Sequence, residues 1–132
     1  MSTIVDTCIW SLVLRRQKNP TPIAQTLSRL IETDEIVMLG AIRQEILSGI
    51  RDRAQFEKLR DRLRAFPDAR ITAQDYEQAA EYFNLCRSQG IQGSNIDFLI
   101  CSVAVRLSAT ILTVDRDFEY FQKYLPIQLE QP

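Results

Sequence analysis

The chain has 132 residues, of which 45% are apolar and 25% are charged, and its formal net charge at pH 7 is −1. This length and composition are typical of one globular domain, which we expect to span residues 1–132. The complete lack of histidine excludes Ser-His-Asp and Cys-His nucleophile pairs, histidine zinc sites and acid–base catalysis by imidazole.

Short apolar segments alternate with helical patterns along the whole chain. Apolar runs such as 36–39 and 110–114 lack the alternation of a half-buried strand, which indicates that both of their faces are buried. The pattern predicts strands near 2–5, 35–39, 69–71, 110–114 and 126–129. It predicts helices near 7–16, 21–33, 41–50, 53–66, 73–89, 95–108 and 116–124. This repetition with short links predicts a three-layer α/β/α domain with a central parallel sheet of five strands.

The sequence also bears on where the protein works. No basic segment leads into an apolar run at the beginning of the chain, and no apolar stretch has the length needed to span a bilayer. The three cysteines, Cys8, Cys86 and Cys101, lack CxxC spacing, which favours reduced thiols, each of them a small buried apolar side chain. We therefore expect a cytoplasmic protein without a membrane partner.

Two acidic residues follow predicted strands directly. Asp6 comes after the first strand and Asp115 after the fourth, and the carboxyl ends of parallel strands meet at one edge of a sheet, where ligands bind. Asp6 alternatively caps the helix that begins at Thr7 or Cys8, and Asp115 alternatively caps the last helix. Thr113 should point its hydroxyl to the same side of the strand as Asp115.

Three further acids complete the candidate cluster. Glu45 borders the apolar stripe of a predicted helix, where it is either a rim residue or a ligand. Asp97 stands three residues after Ser94, the spacing of a capping box, but its helix is apolar nearly all round and therefore buried. Asp117 is either a first-turn acid favoured by the helix dipole or a member of the cluster.

The chemistry of such a cluster favours a hard cation. Carboxylates that are brought close together repel one another, so they raise their own pKa values or bind a metal ion. Mg²⁺ prefers oxygen ligands and retains several waters, and Mn²⁺ is a plausible substitute. A metal-activated water would supply a nucleophile without histidine.

Positive charge is concentrated in residues 51–70, where seven Lys/Arg face four Asp/Glu. This stretch is either a solvated helix face with i,i+4 ion pairs or a surface that holds an RNA backbone. The candidate RNA-binding residues are Arg51 and Arg53 here, and Arg15 and Arg16 at the end of the first predicted helix.

Four segments, taken in order, resemble the PIN-domain ribonucleases, specifically the VapC-like toxins of type II toxin–antitoxin pairs. They are VDTCIW (5–10), EILSGI (45–50), NIDFLICSVA (95–104) and ILTVDRDF (111–118). Asp6, Glu45, Asp97 and Asp115 fall on the four acidic positions of the family, and Asp117 matches an acid that only some members have. Thr7 and Thr113 match hydroxyl positions that orient water or a ligand carboxylate. Gln44 departs from the hydroxyl or apolar residue that many relatives have before the glutamate.

The resemblance implies a function with three parts. It implies a Mg²⁺-dependent endoribonuclease that hydrolyses phosphodiester bonds and leaves 5′-phosphate and 3′-hydroxyl ends. In this reading Asp6, Asp97 and Asp115 hold the metal, and Glu45 and Asp117 complete or share a second site. It also implies a cognate antitoxin and a homodimer or a toxin–antitoxin hetero-oligomer.

Other functions remain open from the sequence. One alternative is a stand-alone PIN nuclease in RNA processing, and another is a non-catalytic α/β binding domain. A haloacid-dehalogenase phosphatase is disfavoured because the position two residues after Asp6 is Cys8, where that family has a second aspartate. A receiver-type signalling domain is disfavoured because no acidic pair flanks the first strand.

Overall fold

The computed structural model describes residues 1–14 and 21–130, and within them the fold is a parallel β-sheet with helices between its strands. The strands are β1 (Thr3–Val5), β2 (Ile36–Val37), β3 (Thr110–Leu112) and β4 (Gln128–Leu129). They lie in the order β2-β1-β3-β4, and every neighbouring pair is parallel. The first strand is therefore central, with β2 on one side and β3 on the other.

Each of the seven predicted helices is present in the described part of the chain. The predicted end of the first helix, at 15–16, lies outside the described residues, and the other six end slightly earlier than predicted. They are α1 (Thr7–Leu14), α2 (Pro22–Glu32), α3 (Gly40–Leu47), α4 (Arg53–Leu63), α5 (Ala73–Ser88), α6 (Asn95–Leu107) and α7 (Asp117–Phe121). Local capping explains why α5 and α6 begin where they do. Thr72 and Ser94 each accept a hydrogen bond from the third helical amide, and the acids at those positions bond back to the cap amides.

The five-stranded sheet is a correction, because four strands form in residues 1–14 and 21–130. The strand predicted near 69–71 is reduced to one parallel bridge between Met38 and Asp68, in which the Ala69 amide donates to the Met38 carbonyl at 2.7 Å. The pairing stops there for a physical reason. The carbonyl of Arg70 accepts a hydrogen bond from Arg106 at 2.7 Å, so it is used by α6 rather than by a strand ladder.

Burial confirms the layered α/β/α arrangement. The consecutive residues of β1 and β3 are all buried, which requires packing on both faces of the sheet. In α6, every residue from Phe98 to Ala104 is buried, as its apolar composition predicted. Among the described residues, no helix combines the length and the apolar character that crossing a membrane requires.

An ion pair between a buried acid and an exposed arginine joins α5 to α6. The carboxylate of Asp75, which is 3% exposed, accepts hydrogen bonds from Arg106 Nε at 2.7 Å and from the Thr72 amide at 2.9 Å. Ser102 donates to the Asp75 carbonyl at 2.7 Å. Burial by itself raises the pKa of Asp75, but the hydrogen bonds from Arg106 and Thr72 outweigh it and hold the pKa below its ordinary value.

This ion pair makes stability depend on acid. We expect Asp75→Asn to lower the free energy of unfolding at pH 7 by about 2 kcal/mol, because a charge-assisted bond is lost. A lowered folded-state pKa stabilises the fold above the unfolded-state pKa, and this stabilisation is lost as the pH falls through the folded-state value. The difference in the free energy of unfolding between the wild type and Asp75→Asn should therefore shrink below about pH 4.

Urea unfolding at a series of pH values from 3 to 7 measures this difference. Asp61→Asn is the matched control, since Asp61 pairs with Arg60 and Arg64 on an exposed helix face, where ion pairs contribute little. If the free energy of unfolding of Asp75→Asn stayed below that of the wild type by the same amount from pH 7 to pH 3, the stabilising role of the Asp75 charge would be contradicted.

Candidate active site at the carboxyl end of the sheet

Asp6 lies between β1 and α1, and hydrogen bonds join it to β3 and to α1. Its amide donates to the Leu112 carbonyl at 2.9 Å, which fixes it beside the end of β3. Its own carbonyl accepts from the Ile9 amide at 3.0 Å, and its carboxylate accepts from the Thr7 amide at 2.8 Å. The predicted capping role is thus present, with the side chain serving the first helical amide. The residue is 8% exposed.

Thr113 connects Asp6 to Asp115. Its hydroxyl donates to Asp6 Oδ2 at 2.8 Å and accepts from the Asp115 amide at 3.0 Å. The Cys8 thiol lies 3.5 Å from both the Asp6 carboxylate and the Thr113 hydroxyl, and burial is the main reason that its pKa is raised. One hydroxyl therefore fixes the relative positions of the residues that follow β1 and β3.

Asp115 and Asp117 share a tight turn before α7. Asp115 Oδ1 accepts a hydrogen bond from the Asp117 amide at 2.9 Å, and the Asp115 carbonyl accepts from the Phe118 amide at 3.3 Å. Asp115 thus binds the first amide of α7 from one residue before the N-cap, which is Arg116 and makes no side-chain cap bond, so the alternative of Asp115 as the helix cap is not met. Asp117 is the exposed first residue of that helix, and its carboxylate accepts no hydrogen bond from the described residues.

Asp97 is half-buried in the first turn of α6. Its Oδ2 accepts from the Ser94 amide at 3.0 Å, and its amide donates to the Ser94 hydroxyl at 3.1 Å, so the predicted capping box is confirmed. Burial raises the pKa of Asp97, and the negative charges of Asp6 and Asp115 raise it further against the opposing bonds from Ser94. Three acids from β1, α6 and the end of β3 therefore influence one another electrostatically.

Glu45 lies at the rim of this group. It is exposed on α3 next to the buried Ile46, and its Oε1 accepts a hydrogen bond from the Thr7 hydroxyl at 2.8 Å. Thr7 and Thr113 thus both donate to carboxylates.

The donor chemistry of this edge suits a hard cation. Within residues 1–14 and 21–130, none of the five candidate acids forms an ion pair with Lys or Arg, so their negative charge is not offset by those residues. In the same part of the chain, no three acidic or cysteine side chains are yet close enough to surround a metal ion. The oxygens fit Mg²⁺ by type, and binding the ion would require the carboxylates to turn toward one another.

The candidate RNA-binding residues fall into three groups. Arg15 and Arg16 lie outside the described residues. Arg53 is paired with Glu57 at 2.9 Å and lies over the ring of Phe56, which agrees with the alternative of a solvated helix face. Arg51 is exposed and forms no ion pair with a described residue.

Two further cations of the basic stretch 51–70 line a groove. Lys58 and Arg62, together with Leu14, Ile50 and Leu59, border a groove of about 510 Å³ between α1 and α4. An adjoining groove of about 460 Å³ shares its three apolar residues and includes Glu45, so the two connect these cations to the acidic edge. The i,i+4 spacing of Lys58 and Arg62 places both on one face of the helix.

Comparisons with known proteins agree on the fold. No curated protein matches the sequence significantly. The chain is similar to the solved structure of VapBC2 from Rickettsia felis bound to a promoter DNA fragment, with 22% identity, a TM-score of 0.78 and 98% of each chain covered. It is similar to VapBC-1 from nontypeable Haemophilus influenzae, with 19% identity, a TM-score of 0.73 and coverage of 99% of this chain and 98% of that one.

A third solved structure, FitAcB from Neisseria gonorrhoeae, shares 21% identity at a TM-score of 0.70, covering 98% of this chain and 97% of that one. At these identities the likeness concerns the fold. The sequence itself matches the family model of the PIN domain over residues 3–124. The match spans nearly the whole chain and all five candidate acids, and it shows that this protein belongs to the PIN-domain family.

Proposed function

We propose that this PIN domain is a Mg²⁺-dependent endoribonuclease and the toxin of a type II toxin–antitoxin pair. The observation that carries the nuclease proposal is the meeting of Asp6, Asp97 and Asp115 at the carboxyl edge of the sheet, with no ion-pair partner among the described residues. PIN domains are generally nucleases, which supports the reaction class. The metal and the choice of RNA are part of the proposal.

The chain supplies the ligands and their orientation. Asp6, Asp97 and Asp115 would hold Mg²⁺, or Mn²⁺ in its place, while Glu45 and Asp117 complete the rim. When bound, such an ion makes a water more acidic and offsets negative charge on a phosphoryl oxygen. Thr113 keeps Asp6 in place through the 2.8 Å bond to Oδ2.

Cations beside the acidic edge would hold the RNA backbone. Arg51, Lys58 and Arg62 have no ion-pair partner in the described part of the chain, and Lys58 and Arg62 line the groove that leads toward Glu45. Arg53, which is already paired with Glu57, should contribute less. Phosphate contacts of this kind make affinity fall as the salt concentration rises.

The toxin assignment is supported by the solved structures that share this fold. The similar solved structures are VapBC and FitAB complexes, and the match covers nearly the full length of both chains. We propose that the chain likewise binds a cognate antitoxin and forms a homodimer or a hetero-oligomer with it. Growth arrest on induced expression, relieved by co-expression of the small protein encoded next to it, is the expected result.

Cleavage of RNA by the purified chain tests the reaction. We expect oligoribonucleotides to be cut in Mg²⁺ and left intact in EDTA, with 5′-phosphate and 3′-hydroxyl ends that sequencing of the fragments can identify. Cleavage that persists in EDTA would contradict the metal requirement. Cleavage without growth arrest would favour a stand-alone role in RNA processing, and absence of cleavage would favour a binding domain.

Metal binding can also be measured without any substrate. We expect saturating Mg²⁺ to raise the melting temperature by about 5–10 °C, because a ligand at 100 times its Kd stabilises the folded state by about 2.7 kcal/mol. Scanning calorimetry with and without Mg²⁺ measures the shift, and Asp61→Asn should show the same shift as the wild type. An equal shift in a protein that lacks the Asp97 carboxylate would place the metal elsewhere.

A further inference from the structure

Exposed apolar side chains are concentrated around the turn that leads into α7. Among the described residues nine large apolar side chains are exposed, and three of them, Val114, Tyr120 and Tyr124, fall within residues 114–124. Val114 directly precedes Asp115, and the exposed fraction of Tyr120, on α7, is 52%. Exposed apolar groups therefore extend from the acidic edge along α7.

The geometry of α7 places Tyr120 close to the candidate acids. Asp117 and Tyr120 are three residues apart, so they lie on the same face of the helix, and the rise between them is about 4.5 Å. Helical side chains lean toward the N-terminus of their helix, which in α7 is the end that carries Asp117. The Tyr120 side chain therefore leans toward the acidic edge rather than away from it.

Buried aromatic contacts hold α7 in place. Phe118 and Phe121 are both fully buried, and their ring centroids are 5.2 Å apart. The ring of Phe121 also lies 4.8 Å from that of Phe98, on α6, the helix that carries Asp97. Packing thus fixes the helix that carries Tyr120 relative to the helix that carries Asp97, as a surface that positions a substrate requires.

We propose that Tyr120 and Lys123 form a nucleotide subsite beside the cleaved bond, in which the ring stacks on one base of the RNA and the ammonium group binds an adjoining phosphate. The inference rests on the proposed ribonuclease function and adds how that substrate is held on the α7 side of the acidic edge. Stacking on an aromatic ring and pairing with a cation are the two contacts by which proteins commonly hold single-stranded RNA.

Lys123 supplies the charge for the phosphate. Its Nζ lies 5.2 Å from the centroid of the Tyr120 ring, and it forms no ion pair with a described residue. A cation–π contact at an exposed site is weak, so the ammonium group can move from the ring to a phosphate and leave the ring to a base. The two side chains therefore present a cation and an aromatic face together.

Charge favours an RNA strand over a protein partner on this face. Even with a divalent cation bound, the five candidate acids leave a net negative edge that repels phosphates, so the strand needs cationic contacts beside the cleaved bond. The surroundings of Tyr120 are charged, since Arg116 and Glu119 form an exposed ion pair with an N···O distance of 3.4 Å. A specific protein interface has a core depleted of charge and buries about 800 Å² on each partner. A ring flanked by charged side chains therefore suits a nucleotide better than a protein.

Stacking is tested by combining variants of Tyr120 with modified RNA. An oligoribonucleotide that the wild type cleaves at a mapped bond is made with abasic ribose at each flanking position in turn, and kcat/KM is measured in Mg²⁺. We expect one abasic position to lower kcat/KM of the wild type about tenfold. Tyr120→Ala should lose as much on the intact RNA and little more at that position. Tyr120→Phe, which keeps the ring, should match the wild type.

The phosphate contact is tested by the dependence of kcat/KM on salt. Lys123→Gln should make the slope of log kcat/KM against log salt concentration shallower by about 0.7, the value for one phosphate of a single strand. Lys123→Arg should keep the slope of the wild type. All four variants should melt close to the wild-type temperature, because both side chains are exposed and the buried rings of α7 are unchanged.

Each alternative gives a different result. Losses from Tyr120→Ala and abasic ribose that multiply at every position, or a loss in Tyr120→Phe equal to that in Tyr120→Ala, would overturn the subsite while the ribonuclease stands. An unchanged salt slope in Lys123→Gln would overturn the phosphate contact. Sedimentation of Tyr120→Ala as a smaller species than the wild type would show that α7 is a protein interface instead. A wild type that cleaves no oligoribonucleotide would overturn the proposed function, and the subsite with it.

Discussion

Asp6→Asn is expected to reduce RNA cleavage in Mg²⁺ by at least about 100-fold while leaving the fold intact. The loss follows from the charge, since an amide is a poor ligand for Mg²⁺ compared with a carboxylate. Substitutions of residues that only orient metal ligands already lower metal affinity or activity tenfold to 100-fold, so the loss of a ligand should lower activity further.

The fold should tolerate this change because both contacts of the side chain can persist. An asparagine oxygen can accept the Thr7 amide in place of Asp6 Oδ1, and its NH₂ group can donate to the Thr113 hydroxyl. That hydroxyl can then direct its own hydrogen to the Cys8 sulfur, 3.5 Å away. The free energy of unfolding should change by less than about 1 kcal/mol.

Initial rates of RNA cleavage and thermal unfolding, measured on the same preparations, separate the two effects. Asp61→Asn, which neutralises an exposed acid on α4, controls for the change in net charge. Undiminished cleavage by Asp6→Asn would mean that Asp6 only caps α1. Loss of cleavage together with a large drop in melting temperature would mean that its role is structural.

A second large effect is expected at Gly93, in the loop before α6. A Cβ atom at this position would lie 2.6 Å from Phe121 Cζ and 2.9 Å from Phe98 Cε2. Both rings are fully buried, and with Phe118 they form a cluster with centroid distances of 4.8 and 5.2 Å. Gly93→Ala should therefore lower the free energy of unfolding by about 1–3 kcal/mol through overpacking.

Gly40→Ala is the matched control for this prediction. There the added Cβ would lie 3.3 Å from Asp68 Oδ2, the end of a side chain that can move, and alanine favours the helix that begins at this residue. Urea unfolding of both variants should show a loss for Gly93→Ala and little change or a small gain for Gly40→Ala. Equal stability of Gly93→Ala and the wild type would contradict the packing described for these rings.

Sequence reasoning located the helices well because their signals are local. Ser94 and Thr72 with acids three residues later define the beginnings of α6 and α5, and the continuous apolar character of α6 indicates its burial. The missing fifth strand shows the limit of such signals. Whether Arg70 can join a strand ladder depends on its carbonyl, which Arg106 occupies from 36 residues away.

In the candidate site, too, features with a local sequence signal were predicted, whereas features that depend on contacts between distant residues were not. The positions of Asp6 and Asp115 after apolar strands were enough to predict that they meet at one edge. The double hydrogen bond of Thr113 and the contact between Thr7 and Glu45 depend on side-chain geometry, which periodicity does not encode.

The central place of β1 in the sheet has a consequence for when activity can arise. Asp6 is aligned with Asp115 only after β1 pairs with β3, whose partner residues Thr3 and Thr110 are 107 positions apart. A ribosome-bound chain therefore carries Asp6 for most of its synthesis, and Glu45 for about half of it, without the strand that completes the acidic edge. Such distant pairing also forms late in folding, because loop closure is costly. For a proposed toxin, nearly the entire chain must emerge before it can harm the cell that makes it.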